Sequence, residues 1–238
     1  METFQLSEEL LKKIADLILA KKNTPLKKIV KDVHFADMAE IINELNEDQG
    51  IYLIKLFDSE KTSEILTELD EDVREKILKA LSVREIADEI EELDSDDAAD
   101  ILGELSDQRK EEVISEISDN NLADDLKELL SYKEDSAGGL MAKELVQANE
   151  NWSITKCLKE IKKQGENVTR VHSIYVVDDK QKLIGRLSLK DLIISPAKNL
   201  IKDIYIPKVD SVNVYEDGEE VAKIMSKYDL EAIPVVDN

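Results

Sequence analysis

An apolar residue recurs every twelve positions through the first half of the chain: Val33, Leu45, Phe57, Leu69, Leu81, Leu93, Leu105, Ile117 and Leu129. Three residues ahead of that series runs a second one, Ile42, Ile54, Leu66, Leu78, Ile90, Leu102, Ile114 and Leu126. One residue behind the first series stand Asn46, Asp58, Asp70, Ser82, Asp94, Ser106 and Ser118, short polar side chains suited to helix N-caps or turns. The pattern predicts helices of about nine residues, each closed by a polar turn and stacked on the next. A helix of two to three turns is marginal alone, so neighbours must bury its apolar stripe. The first half is therefore read as an α-solenoid or a compact right-angled superhelix.

Ahead of the repeat, Leu6, Leu10, Ile14, Leu17 and Ile18 fall on one stripe, which predicts a helix over 5–20 with Ser7 as N-cap. Asn23-Thr24-Pro25 is expected to break it, and a second helix to run over 26–32.

The charge is unevenly distributed. Residues 1–131 carry 36 acidic and 16 basic side chains, whereas 132–238 carry 18 and 16, so nearly all of the formal −22 belongs to the first half. Such a surface repels phosphate backbones, and no nucleic-acid partner is expected. Within it, residues 85–108 hold eleven acids and neither Lys nor Arg. If a helix opens at Asp96, then Asp100 lies one turn on along the same face, near Asp97 and Glu104, and like charges at that spacing repel. Something from outside should neutralise them, and hard oxygen ligands without His or Cys suit Mg²⁺ or Ca²⁺. The alternative is a solvated acidic face.

The lone Cys157 excludes an internal disulfide and a cysteine metal site, and is expected to pack as a small apolar residue. Neither a signal peptide nor an apolar run of membrane-spanning length is present, so the chain as given reads as soluble and facing the cytosol. His34 and His172 belong to different predicted domains, and there is no phosphate-cradling Gly loop, nucleophile elbow or HExxH, so no enzyme is expected. The sequon Asn167-Val168-Thr169 has no meaning in a cytosolic chain.

The stretch SYKEDSAGGLM carries Gly138-Gly139, read as a hinge or tight junction through the backbone freedom of glycine. The pattern then changes. A helix is predicted over 152–163 with Ser153 as cap and Ile154, Leu158 and Ile161 inward. Strands follow at 173–177 and 183–187, then a helix begun by Ser188 with Asp191 in its first turn. A second copy begins with 207–214, a helix over 217–227 and a strand at 232–236. YVVDD (from Tyr175) and PVVDN (from Pro234) lie 59 residues apart in register, and the second copy lacks a counterpart of KLIGRLSLKDLI, which leaves an open strand edge and suggests a fragment.

This duplication, with its VVDD and LIGRLSLKDLI motifs, resembles a pair of cystathionine-β-synthase (CBS) motifs. Joined to the helical repeat and to YKEDSAGGLM, the chain resembles the cytosolic portion of the MgtE family of magnesium transporters and channels. The resemblance implies a multi-domain α plus α/β fold: a helical N domain (1–131), a junction (132–141), CBS motif 1 (142–196) and a truncated CBS motif 2 (197–238). It also implies a homodimer through the CBS domains, a transmembrane pore domain elsewhere in the full-length chain, and a place on the cytoplasmic face of the membrane. Mg²⁺ bound between the cytosolic domains is expected to hold the pore shut. Motif by motif, the family's metal ligands fall on Glu64 in KTSEIL, on Asp96 and Asp100 in SDDAADIL, and on the Gly139 carbonyl. They fall also on Asp217 in YEDGEEVA, the Ser226 carbonyl, and Asp229 in KYDLEAIP. Members that bind ATP place aromatic groups where this chain has Ser173 and Leu230, which weakens adenine stacking and leaves Lys190 and Asp191 for ribose or phosphate.

The mechanism this suggests is an electrostatic two-state one. Acidic N-domain and CBS surfaces, with Glu219 and Glu220 beside Asp217 and Asp229, repel and separate about the glycine hinge, and Mg²⁺ turns repulsion into bridging. The rivals are an adenine-nucleotide-sensing CBS module and an acidic helical scaffold for a basic protein.

Overall fold

The structure, a computed structural model, describes residues 5–165, 168, 171 and 173–237; His172 and the sequon residues Asn167 and Thr169 lie outside the described residues. Its contacts divide into two compact units, one formed by the chain up to Leu93 with Asp97–Leu126, the other by Asp94–Asp96 with the chain from Lys127 on.

The helical region runs α1 (Glu8–Leu19), α2 (Asn23–Val30), α3 (Phe35–Glu44), α4 (Glu47–Ile54), α5 (Ser59–Glu68), α6 (Glu71–Ala80), α7 (Val83–Ile90), α8 (Ser95–Gly103), α9 (Asp107–Glu116) and α10 (Asn120–Leu129). From α3 on, each is 8 to 10 residues long, as the repeat predicts. The polar series starts the helices. Asn46 Oδ1 accepts from Gln49 N–H at 3.0 Å while Gln49 reaches back to the Asn46 amide, and Ser82 with Glu85 repeats that capping box. Asp58 caps α5 through the Lys61 amide at 3.2 Å.

The core of this unit is the second apolar series: Ile42, Ile54, Leu66, Leu78, Ile90 and Leu102 are all sealed from solvent. At α9 the register slips by one, so that Val113 is buried and Ile114 only half-buried. Helices pack on the next but one, α3 on α5, α5 on α7, α7 on α9 and α4 on α6, the stacking of a superhelix. The Asn23-Thr24-Pro25 stretch is not a break but the first turn of α2, where a proline lacks no helical bond. The chain turns instead at Lys21, whose φ is 51°.

Lysine and arginine side chains close the helix ends across the stack. Lys61 Nζ donates to the carbonyls of Val30 (3.0 Å), Lys31 (3.2 Å) and Val33 (3.0 Å), taking up the orphan acceptors after α2. Arg109 donates to Leu78 O and Leu81 O at the end of α6. Arg74 serves the end of α5 through Leu66 O and Leu69 O, both at 3.2 Å.

In the other unit a four-stranded sheet has the order β1-β2-β3-β4: β1 (Val146–Asn149), β2 (Ile174–Val177), β3 (Leu183–Leu187) and β4 (Ile206–Pro207). β1 runs parallel to β2 through α11 (Ile154–Gln164), and the other pairs are antiparallel. α12 (Leu189–Ile194) follows β3, with Ser188 Oγ accepting from the Asp191 amide. A second, two-stranded parallel sheet joins β5 (Val212–Asn213) to β6 (Val235–Val236) through α13 (Gly218–Tyr228).

The stretch 207–214 is thus divided between the two sheets, the chain turning at Lys208 with φ 64°. On α11 it is Cys157, not Leu158, that faces the core: Cys157 is fully buried, which pushes its thiol up to about 11, and Leu158 is 41% exposed. Cys157 lies one position nearer the centre of the buried stripe set by Ile154 and Ile161.

Candidate functional site

The acidic stretch is less bare in space than in sequence. Glu85 pairs with Lys55 (3.4 Å), Asp88 with Arg84 (2.8 Å) and Glu104 with Arg74 (2.5 Å), while Glu91 accepts from the Ser118 amide. The local deficit of basic residues is therefore made good in part by cations just outside the stretch or on other helices. Glu89 differs. It is buried on α7, its Oε2 has no hydrogen-bond partner among the described residues, and burial, with Asp88, Glu85, Glu92 and Asp58 around it, pushes its carboxyl up to about 8.

Of the candidate ligands in the helical region, Glu64 is exposed on α5 and lines an open cleft of about 330 Å³ with Asp58, Glu60, Lys61 and His34. His34 is occupied there as the α3 cap, its Nδ1 accepting from the Ala36 amide at 3.3 Å. Asp96 and Asp100 stand on α8, one turn apart, about 6 Å along the axis. The residue that opens this helix, Ser95, was not singled out by sequence. It is fully buried, its amide and hydroxyl both donate to the Glu144 carboxylate (3.1 and 2.8 Å), and its Oγ accepts from the Lys143 amide at 2.8 Å. Lys143 Nζ in turn holds Glu128 at 2.8 Å, drawing that carboxyl below its usual range. Nothing local in the sequence announces a partner 49 residues on.

The glycine pair is close-packed, and no glycine has positive φ. A Cβ on Gly138 would sit 2.7 Å from the Tyr132 ring, and one on Gly139 would sit 2.3 Å from Lys133 O. The segment is also pinned: Ala137 N–H donates to Glu216 O and Gly138 N–H to Val214 O, each at 2.8 Å. Glycine is required here for close approach and not for hinging. The same ladder brings Asp217 to the junction, since Gly218 N–H donates to Asp135 O at 2.8 Å and Ser136 bridges Asp217.

Asp217 is the N-cap of α13, its Oδ1 accepting from Glu219 N–H (3.0 Å) and Glu220 N–H (3.3 Å). Ser226 and Asp229 sit at the opposite end. There Leu230 N–H, which would close the next helical bond onto Ser226, donates instead to Met225 O at 2.9 Å, and Asp229 takes the left-handed C-cap with φ 52°. An acceptor at a helix C-terminus suits a cation. Asp217 and Asp229 are twelve residues apart on one helix, about 18 Å, so they cannot share an ion.

The donors are all carboxylate or carbonyl oxygens, which fits Mg²⁺ or Ca²⁺. Among the described residues no three Asp, Glu, His or Cys side chains are gathered closely enough to hold a metal. Mg²⁺ keeps several waters and binds through one or two carboxylates, so sparse ligation suits it. Lys190 is exposed on α12 and Asp191 half-buried in its first turn. No described helix is long and apolar enough to cross a membrane.

The model of the MgtE intracellular N domain matches residues 33–135, and that of the CBS domain matches 137–197 and 201–238. The magnesium transporter MgtE of Thermus thermophilus is 41% identical over 106 residues, 44% of this chain and 24% of that protein. That of Enterococcus faecalis is 36% identical over 108 residues, 45% of this chain and 24% of that protein. The matched stretch thus spans about a quarter of these relatives. Among solved structures, the cytosolic domain of the Mg²⁺ channel MgtE in complex with ATP superposes with a TM-score of 0.86 at 29% identity, covering 96% of this chain and 93% of that one. The soluble part of a magnesium transporter follows with 0.78 at 27% identity, covering 97% and 90%.

Proposed function

From a chain that belongs to the MgtE family, carrying its N domain followed by CBS domains, we infer the Mg²⁺-responsive regulatory region of a magnesium transporter or channel. Bound Mg²⁺ supplies charge neutralisation between carboxylates. The residues that would hold it are Glu64, Asp96 and Asp100 of the helical domain, and the Gly139 carbonyl, Asp217, the Ser226 carbonyl and Asp229 of the CBS domain. Drawing the two sets of carboxylates together favours a compact state, in which the pore of the full-length protein is closed. The observation that carries this reading is the all-oxygen donor set at the matched motif positions. Equilibrium between the states shifts only by the ion's preference for one of them.

The test is small-angle scattering of this chain across a Mg²⁺ titration at fixed ionic strength. The radius of gyration should fall with a midpoint on the order of 10⁻³ M, as for weak water-rich sites. Asp96→Ala with Asp100→Ala should abolish the fall. A radius indifferent to Mg²⁺ overturns the reading.

A second ligand is supported by the ATP complex of the similar cytosolic domain. ATP would bind the first CBS motif, with Lys190 and Asp191 at its ribose or phosphates. Thermal stabilisation by ATP that Lys190→Ala removes would establish it, and stabilisation by ATP in the absence of Mg²⁺ response would favour a nucleotide sensor instead.

A homodimer formed through the CBS domains accords with the apolar side chains left open there, Ile193 (65% exposed), Ile194 (68%) and Ile206 (46%).

A further inference from the structure

We propose that Ser95 and Glu144 are positioning residues for Asp96, an inference that rests on the reading of Asp96 as a Mg²⁺ ligand. Ser95 is the first residue of α8 and has no exposed surface. Its amide and hydroxyl are spent on one short segment: both donate to the two oxygens of Glu144, and Oγ accepts from the Lys143 amide. Bonds to an ionised acceptor are about twice as strong as neutral ones, and a carboxylate at a helix's first amide also meets the positive end of the dipole.

These three bonds fix both the backbone and the χ1 of the residue immediately before Asp96. They hold the start of the helix in one register against the chain at 143–144. Asp96 follows in the first turn, so the direction of its carboxylate is set by that anchor. A ligand presented to a water-rich ion through one or two oxygens depends on such outer support, since there is no cage to correct its aim.

The arrangement has a further consequence. Ser95 directly precedes Asp96 at this helix start, with Asp94 on its other side. Glu144 takes up the Ser95 amide and hydroxyl beside that carboxylate. In this way a residue that touches no ion tunes affinity at Asp96.

The experiment is a double-mutant cycle on the Mg²⁺ midpoint of compaction, with Ser95→Ala, Asp96→Ala and the pair, and unfolding without Mg²⁺ recorded alongside. Ser95→Ala should raise the midpoint by about threefold or more, and the pair should be no worse than Asp96→Ala alone. Ser95→Thr, which keeps the hydroxyl, should restore the parental midpoint.

A purely structural Ser95 would lower the melting temperature and leave the midpoint where it was, which overturns the proposal. So would losses from the two single variants that multiply in the pair. Should Ser95→Ala fail to fold, Glu144→Gln, which retains an acceptor for the Ser95 amide, must raise the midpoint in the same direction, and an unchanged midpoint is again fatal. If Asp96→Ala alone leaves the midpoint unmoved, the ligand reading itself has failed, a result separable from a normal Asp96 effect with a silent Ser95.

Discussion

At the scale of single residues, charge is governed by burial and by partners contributed from other helices. Glu89 holds its proton to about pH 8 against an ordinary 4.5, because it is sealed on α7 among other acids. Between those values the native Glu89 binds its proton more tightly than in the unfolded chain, so its contribution to stability is fullest below 4.5 and is lost as pH rises through 8. Thermal unfolding at pH 5 and 8.5 should show that decline, and Glu89→Gln should remove most of it. Arg74 provides a contrasting case, since its guanidinium both pairs the poorly exposed Glu104 and caps α5. Arg74→Met strands that carboxylate and should cost about 3–5 kcal/mol in denaturant unfolding. The capping by Asp217 can be separated from the ligand role proposed for it. Asp217→Asn keeps an acceptor for the Glu219 and Glu220 amides, so it should weaken the Mg²⁺ response while leaving the melting temperature nearly unchanged, whereas Asp217→Ala should also lose about 1 kcal/mol of stability.

At the scale of elements, the helices obey the twelve-residue phase closely because their two ends are coded locally. A short polar residue precedes α4, α5, α6, α7 and α9, and an apolar C-cap closes α3, α5, α6 and α9, as with Leu45 before Asn46 or Leu81 before Ser82. The C-terminal ends are completed from a distance, by Lys61 on the carbonyls after α2 and Arg109 on those after α6, two basic residues at the same phase of the repeat. At that phase Glu85 and Asp97 stand instead, which is where the acidic stretch lies. The junction glycines were legible as special but not for the right reason, because what they approach, Tyr132 and the Lys133 carbonyl, is set by the fold of the turn. Gly139→Ala should cost at least about 2 kcal/mol, since its methyl would meet a backbone carbonyl that cannot rotate away. β1 escaped the sequence reading because a four-residue strand carries too little alternation to stand out.

At the scale of the whole molecule, the apolar residues of the CBS domain predict self-association. Ile193→Glu with Ile194→Glu should convert a dimer to a monomer in light scattering without altering the helix content of the N domain. Sequence alone determined the succession of short helices, the duplicated VVD motifs and the concentration of negative charge, because each is a local or periodic property that survives without contacts. The candidate ligands were named only through the resemblance to a known family, motif by motif. Tertiary structure decided which acids are answered by Lys55 and Arg74, that Glu89 is sealed, that Gly138 and Gly139 are packed rather than free, and that Ser95 is clasped by Glu144. Pairing and burial depend on residues brought together from distant positions, and no periodicity along the chain records those distances.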